Sequence, residues 1–199
     1  MRSIHPVAAL CATLVLVGGL ALLAPLVPAA GQQEAAPSPP GLILQVDEGE
    51  RRVRRSRADG APGLTTPFIL KVDRRNGGSE RLVMGYEEIA PGDSIRPHRH
   101  LVADEIIFVH KGSGVVQLGA REARVDTGGT VYIPKHTRIT LRNDGKEPLA
   151  IAFTFSAPGF EELMRDNSVL EGEADRPITA EERRQIEARN SWHTVHEAH

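Results

Sequence analysis

From 68 to 155 the chain alternates between short apolar runs and residues that turn a backbone. The runs fall at 68–72, 82–89, 95–100, 105–110, 115–118, 122–125, 131–133, 139–141 and 149–155, and several are dense in Val, Ile, Leu and Phe. Between them stand Arg75-Asn76-Gly77-Gly78, Pro91-Gly92, Gly112-Ser113-Gly114, Gly119-Ala120, Asp126-Thr127-Gly128-Gly129 and Asn143-Asp144-Gly145. Turn signals at about every eight to twelve residues predict antiparallel strands in an all-β sandwich or barrel, not alternating β-α units. No helical period interrupts the stretch.

The flanks read differently. Leu42-Ile43-Leu44-Gln45-Val46 predicts a peripheral strand within the segment 32–64, behind a linker at 32–41. Beyond Pro158-Gly159, Phe160, Leu163 and Met164 are spaced for one face of a short helix. Thr179 and Glu182 form a capping box ahead of a second helix over 181–190. Ile186 is almost its only apolar anchor, so that helix is expected to pack weakly or on a partner. The end, with His193, His196 and His199 at three-residue spacing, reads as a frayed terminus rather than an accessory metal site. Trp192 is the residue that could dock it.

The N-terminus has the order of an export signal. Arg2 is followed by an uncharged, Ala/Leu/Val-rich run over 7–27, then Pro28, Ala29, Ala30 and Gly31. A leader over 1–31 implies export to the periplasm or beyond, and membrane contact only if the segment stays uncleaved. Cys11 is the sole cysteine. Cleavage removes it, and with it disulfides, thiolate ligands and cysteine nucleophiles.

Charge excludes one class of partner. Lys and Arg number 24 against 26 Asp and Glu, a net charge of −2, which argues against a general nucleic-acid binder. The cluster Arg51, Arg52, Arg54, Arg55 and Arg57 is interleaved with acidic residues and reads as a solvated edge, blunted against edge-to-edge pairing. Aromatics are 4% of a 40% hydrophobic chain, so the core is expected to be aliphatic.

The candidate chemistry lies in 92–112, GDSIRPHRHLVADEIIFVHKG. His98 and His100 are two apart and share one face of a strand. Glu105 follows after a reversal at 101–104, so its carboxylate could face the imidazoles across a hairpin. Two neutral imidazoles and one carboxylate with open positions suit a divalent transition metal: iron, manganese, nickel, copper or zinc. Asp104 could stand in for Glu105. His110, an odd number of residues further on, faces away. Tyr86 and Tyr132 are read as core or edge packing rather than acids in a barrel mouth. Arg96 and Arg99 flank the ligands, with Arg99 turned outward.

These residues resemble the first motif of the cupin family, G(X)5HXH(X)3–4E(X)6G, with Gly92, His98, His100, Glu105 and Gly112 in its fixed positions. Gly128, Pro134 and Asn143 fit the second motif, G(X)5PXG(X)2H(X)3N. His136 stands there in place of glycine, and Ile139 in place of the fourth ligand histidine. The resemblance covers roughly 65–156 and implies a jelly-roll barrel, the cupin double-stranded β-helix, with short helices in 157–199. It also implies a small-molecule substrate and a homodimer. Three arrangements are open: a site on His98, His100 and Glu105 alone, one completed by His136, or a metal-free barrel. The implied activity is an oxygenase-type reaction on a small, aromatic or phenolic molecule, with Glu105 as ligand and catalytic proton acceptor. The alternatives are a non-catalytic small-molecule binding cupin and a sugar isomerase or epimerase. Ile139 would dry the cavity and counts against a sugar ligand.

Overall fold

The structure, a computed structural model, describes residues 41–60, 64 and 66–197; the expected leader, Cys11, residues 32–40 of the linker and His199 lie outside the described residues. In chain order the elements are β1 (Glu50–Arg54), β2 (Phe68–Val72), β3 (Val83–Ile89), β4 (Ser94–His100), β5 (Glu105–Lys111), β6 (Ser113–Leu118) and β7 (Arg121–Asp126). There follow β8 (Thr130–Ile133), β9 (Ile139–Arg142), β10 (Leu149–Phe155), α1 (Phe160–Asp166), β11 (Ser168–Leu170), α2 (Ala180–Asn190) and β12 (Thr194–His196). They build two antiparallel sheets, ordered β11-β1-β2-β3-β10-β5-β8 and β12-β4-β9-β6-β7. The all-β architecture is the one the turn spacing predicts, and the two C-terminal helices fall where the apolar spacing and the capping box place them.

The core lies between the sheets. Val83, Ile89, Ile107, Val109, Ile151, Phe153 and Phe155 from the larger sheet meet Val116, Ile139 and Leu141 from the smaller. Alternation along β5 shows why: Glu105, Ile107 and Val109 are buried while Ile106 and Phe108 are exposed, as the strand period requires. Gly112 closes the turn after β5 with φ 83°, and a Cβ there would meet the Pro148 carbonyl oxygen at 2.7 Å. Both features demand glycine.

Three expectations are corrected. The peripheral strand is not at 42–46, where Ile43 is 92% exposed, but at β1, inside the basic cluster. In β1 ionic pairs replace apolar alternation: Arg52 with Glu50, Arg54 with Glu87, and Glu50 with Arg165. Arg51, Arg55 and Arg57 are also paired, with Glu171, Glu182 and Asp59. Arg165 of α1 lies deepest. Its Nη2 reaches Glu50 at 2.7 Å and the fully buried Asp73 at 2.5 Å. Burial alone would raise Glu50, but the hydrogen bonds from Arg165 and Arg52 win and hold it at about 2.

The second correction concerns α2. Ile186 is buried against Leu163 and Ile178, with Phe160 alongside, so the helix docks firmly on α1. Its start is as expected, with the Thr179 hydroxyl accepting from the Glu182 amide at 3.1 Å. The third is the tail. Residues 193–196 are not frayed: His193 and Thr194 are buried, and β12 pairs with β4, Thr194 opposite His100 and His196 opposite His98. Among the described residues no helix is long and apolar enough to cross a membrane.

Candidate metal centre

β4 and β5 do not form a hairpin. The reversal at 101–104 carries the chain from one sheet to the other, so Glu105 faces His98 and His100 across the sandwich. Proximity in sequence therefore becomes opposition in space. The three side chains are 5%, 2% and 5% exposed, and one ligand atom from each lies within 4.8 Å of the others. His98 Nε2 is 3.1 Å from His100 Nε2, which is 3.2 Å from Glu105 Oε2.

Proton positions decide what this cluster can hold. His98 Nδ1 lies 2.7 Å from the Arg96 carbonyl oxygen, which only accepts, so Nδ1 donates and Nε2 keeps a lone pair. On the other side, Glu105 Oε2 is buried with no hydrogen-bond donor. It lies 3.2 Å from His100 Nε2 without making a hydrogen bond there. Electron-rich atoms crowded into a dry space require a proton or a cation among them. Burial lowers His98, with the His100 charge helping, and burial takes His100 down to about 4. Both imidazoles are therefore neutral near pH 7, the form that ligates. Burial lifts Glu105 to about 7, against the pull of His98. The donor set fits a divalent cation of the first transition row.

A pH dependence follows. The histidines are already neutral, so Glu105 is the group whose proton competes with a cation. Apparent Zn²⁺ affinity should be nearly flat above about pH 7 and fall by about tenfold per unit below it, with one proton released per ion bound. Calorimetric titrations in two buffers of different ionisation enthalpy, between about pH 6 and about pH 8, read this directly. Proton release that did not grow on acidification would contradict it.

The walls are apolar. Phe160 of α1 lies 5.1 Å from the His100 ring and stacks on His98 at 6.4 Å; Phe155 is 4.7 Å from His100. Ile139 pairs with His98 across β4–β9 and is 1% exposed, filling the position of the missing histidine. His196, on the opposite side of β4, brings its ring to 5.9 Å from His98. It also lines an outer cleft of about 220 Å³ with Thr194, Val195, Ser191, Ala188 and Glu187.

Other candidates stay apart. His136 is exposed in the loop after β8, with its amide donating to the His100 carbonyl at 2.6 Å and φ at 67°. That left-handed backbone explains glycine in the motif. His136→Gly should stabilise the fold by roughly 0.5–1 kcal/mol, read by urea unfolding, since relief of αL strain outweighs the added chain entropy. Asp104 accepts from the Lys135 amide at 2.9 Å and from the Tyr132 hydroxyl at 3.3 Å, outside the cluster. His110 is exposed against Tyr86. Arg99 is ion-paired with Glu197, and Arg96 with Glu187. What the sequence reading missed is the contact of Thr194 with His100. A short polar strand in a tail has no period to betray it.

The model of the cupin domain matches residues 85–155. The chain is 28% identical over 94 residues to the tetracenomycin polyketide synthase protein TcmJ of Streptomyces glaucescens, covering 41% of this chain and 63% of that one. It is 32% identical over 85 residues to the dimethylsulfoniopropionate lyase DddW of Ruegeria pomeroyi, covering 41% and 53%. These matches span between about half and two thirds of the relatives' length. Among solved structures, a predicted oxalate decarboxylase from Thermotoga maritima superposes with a TM-score of 0.50 at 16% identity, over 59% of this chain and 100% of that one. At that identity the likeness is one of fold.

Proposed function

We propose that this chain, which contains a cupin domain over residues 85–155, holds one divalent transition metal on His98, His100 and Glu105 and performs oxygenase-type chemistry on a small apolar or aromatic molecule. The observation that carries the reading is the orphaned Glu105 oxygen facing imidazole nitrogens in a buried space. A bound metal would supply Lewis acidity and open positions for substrate and dioxygen. The residues do the rest. His98 and His100 fix the site on one rigid strand. Glu105 would ligate as the carboxylate, its proton displaced by the metal, and is assigned as the proton acceptor of the site. Ile139, Phe155 and Phe160 keep water out and favour an apolar substrate face.

The second reading is a non-catalytic binding cupin, favoured by the near-complete burial of all three ligand side chains. Elemental analysis of the chain purified without an affinity tag, with His98→Ala beside it, tests the first. About one metal per chain, lost in the variant, supports the site; dioxygen consumption with a panel of phenols then tests the reaction. No metal after reconstitution overturns the proposal in favour of the binding reading.

Two further parts are proposed with it. Export on the leader predicts a mature N-terminus near Gln32, read by sequencing the protein from cells. Homodimer formation has support in the apolar side chains Ile106, Phe108 and Tyr132, exposed on the outer face of the larger sheet. Sedimentation of Phe108→Asp as a monomer, against a wild-type dimer, is the expected result.

A further inference from the structure

The tail forms a chain of hydrogen bonds that ends on His100. It can be followed from its far end, where chemistry leaves no choice of donor. Asn190 Nδ2 donates to Asp166 Oδ2 at 2.8 Å and to the Ile186 carbonyl at 2.9 Å. Two acceptors fix the orientation of the amide, so Asn190 Oδ1 faces His193 Nε2 at 3.1 Å as an acceptor. His193 must donate from Nε2, and a neutral imidazole then has only a lone pair at Nδ1. That lone pair lies 2.9 Å from Thr194 Oγ1, so the hydroxyl donates its single proton there. Thr194 Oγ1 has nothing left to give to His100 Nδ1, 3.0 Å away, and can only accept. His100 therefore has its proton on Nδ1 and a bare Nε2, the atom that faces His98 and Glu105.

We infer that Asn190, His193 and Thr194 are positioning residues: a relay from α2 and β12 that holds His100 in the one tautomer able to ligate through Nε2. The inference rests on the metal reading above and adds to it the part of the chain that prepares the ligand. His98 needs no such device, because the Arg96 carbonyl does the same work locally. His100 has no carbonyl at Nδ1 and takes its partner from a strand ninety-odd residues on. The relay is also well built: His193, Thr194 and Asn190 are all buried, so water does not compete for the bonds that link them to one another and to His100. Backbone bonds hold it in register, with the Leu101 amide donating to the His193 carbonyl at 2.8 Å and the Glu197 amide to the Pro97 carbonyl at 3.0 Å. Ligating histidines are commonly held by a partner on the other ring nitrogen, and loss of that partner typically costs about 10- to 100-fold in metal affinity.

The test has two arms. In the first, long-range ¹H–¹⁵N correlation spectra of the metal-free full chain, with His100 assigned by its loss in His100→Gln, should show the Nδ1–H tautomer. An Nε2–H signal for His100 overturns the relay. In the second, Zn²⁺ is titrated against a competing chelator. Thr194→Val, which keeps shape and removes the hydroxyl, should weaken binding by about 10- to 100-fold, and Thr194→Ser should restore it to within about threefold of wild type. Circular dichroism checks that each variant is folded. Wild-type affinity in Thr194→Val overturns the inference. If the valine variant does not fold, the wild-type tautomer alone decides. A wild-type chain that took up no zinc yet kept the Nδ1–H tautomer would sink the metal reading and leave the relay standing.

Discussion

Arg165→Ala is expected to lower the free energy of unfolding by about 3–5 kcal/mol, a fall in Tm of roughly 10 °C or more. The size comes from what is left behind. Asp73 is fully buried, with Oδ1 accepting from the Arg75 and Asn76 amides at 2.7 Å and Oδ2 from Arg165 at 2.5 Å. Without the guanidinium, Asp73 becomes an uncompensated charge in the interior, and Glu50 loses its deepest partner, though Arg52 still holds it at 2.6 Å. The pair as such is not the source of that energy. Asp73→Ala combined with Arg165→Ala should lose clearly less than the two single losses added together, because the double variant strands no charge. Chemical denaturation of the three variants reads both statements. Strict additivity would mean that the network is not coupled.

Glu105→Gln should move metal affinity and metal-free stability in opposite directions. Glutamine keeps the shape but removes the charge, so Zn²⁺ affinity should fall by more than the 10- to 100-fold typical of losing an outer partner. Saturating zinc should then no longer raise Tm, whereas in wild type a concentration of about a hundred times Kd contributes about 2.7 kcal/mol. Without metal the variant gains. The amide can donate to His100 Nε2, giving a partner to a position where wild type buries an oxygen without one. Relief of a buried orphan is worth about 1–3 kcal/mol. Thermal melts with and without zinc distinguish the readings: a Tm lowered in both states would indicate that Glu105 is needed for packing alone.

The sequence shows some of these residues plainly and hides others for physical reasons. His98, His100 and Glu105 are legible because ligands on one strand and the start of the next keep fixed spacings. Their placement on opposite sheets is not legible, since a turn at 101–104 serves a hairpin and a crossing equally well. Strands β2 and β10 match their apolar runs end to end, because both are paired on two sides and buried along most of their length. β1 escapes detection because its sequence, ERRVR, satisfies its side chains with ions instead of hydrocarbon. β12 escapes because three residues are too few to show a period, and Thr194 matters through one hydroxyl. Ile139 is readable as a missing ligand. Only the structure shows that it packs on His98, and that the exposed His136 does not replace it.

The pairing of β1 with β11 sets Arg52 opposite Leu170 and Val53 opposite Val169. During synthesis the first strand therefore waits for a partner made near the end of the barrel, roughly ten seconds later at ordinary elongation rates. Until then Glu50, Arg52 and Arg54 have no Arg165 or Ser168 to meet, and their charges keep the unpaired edge hydrated and slow to stick to its neighbours. The same residues that hide this strand from a hydrophobicity reading would thus protect the nascent chain, and closure of the large sheet becomes a late step in folding. A topology so rich in distant pairings places that folding in the millisecond-to-second range.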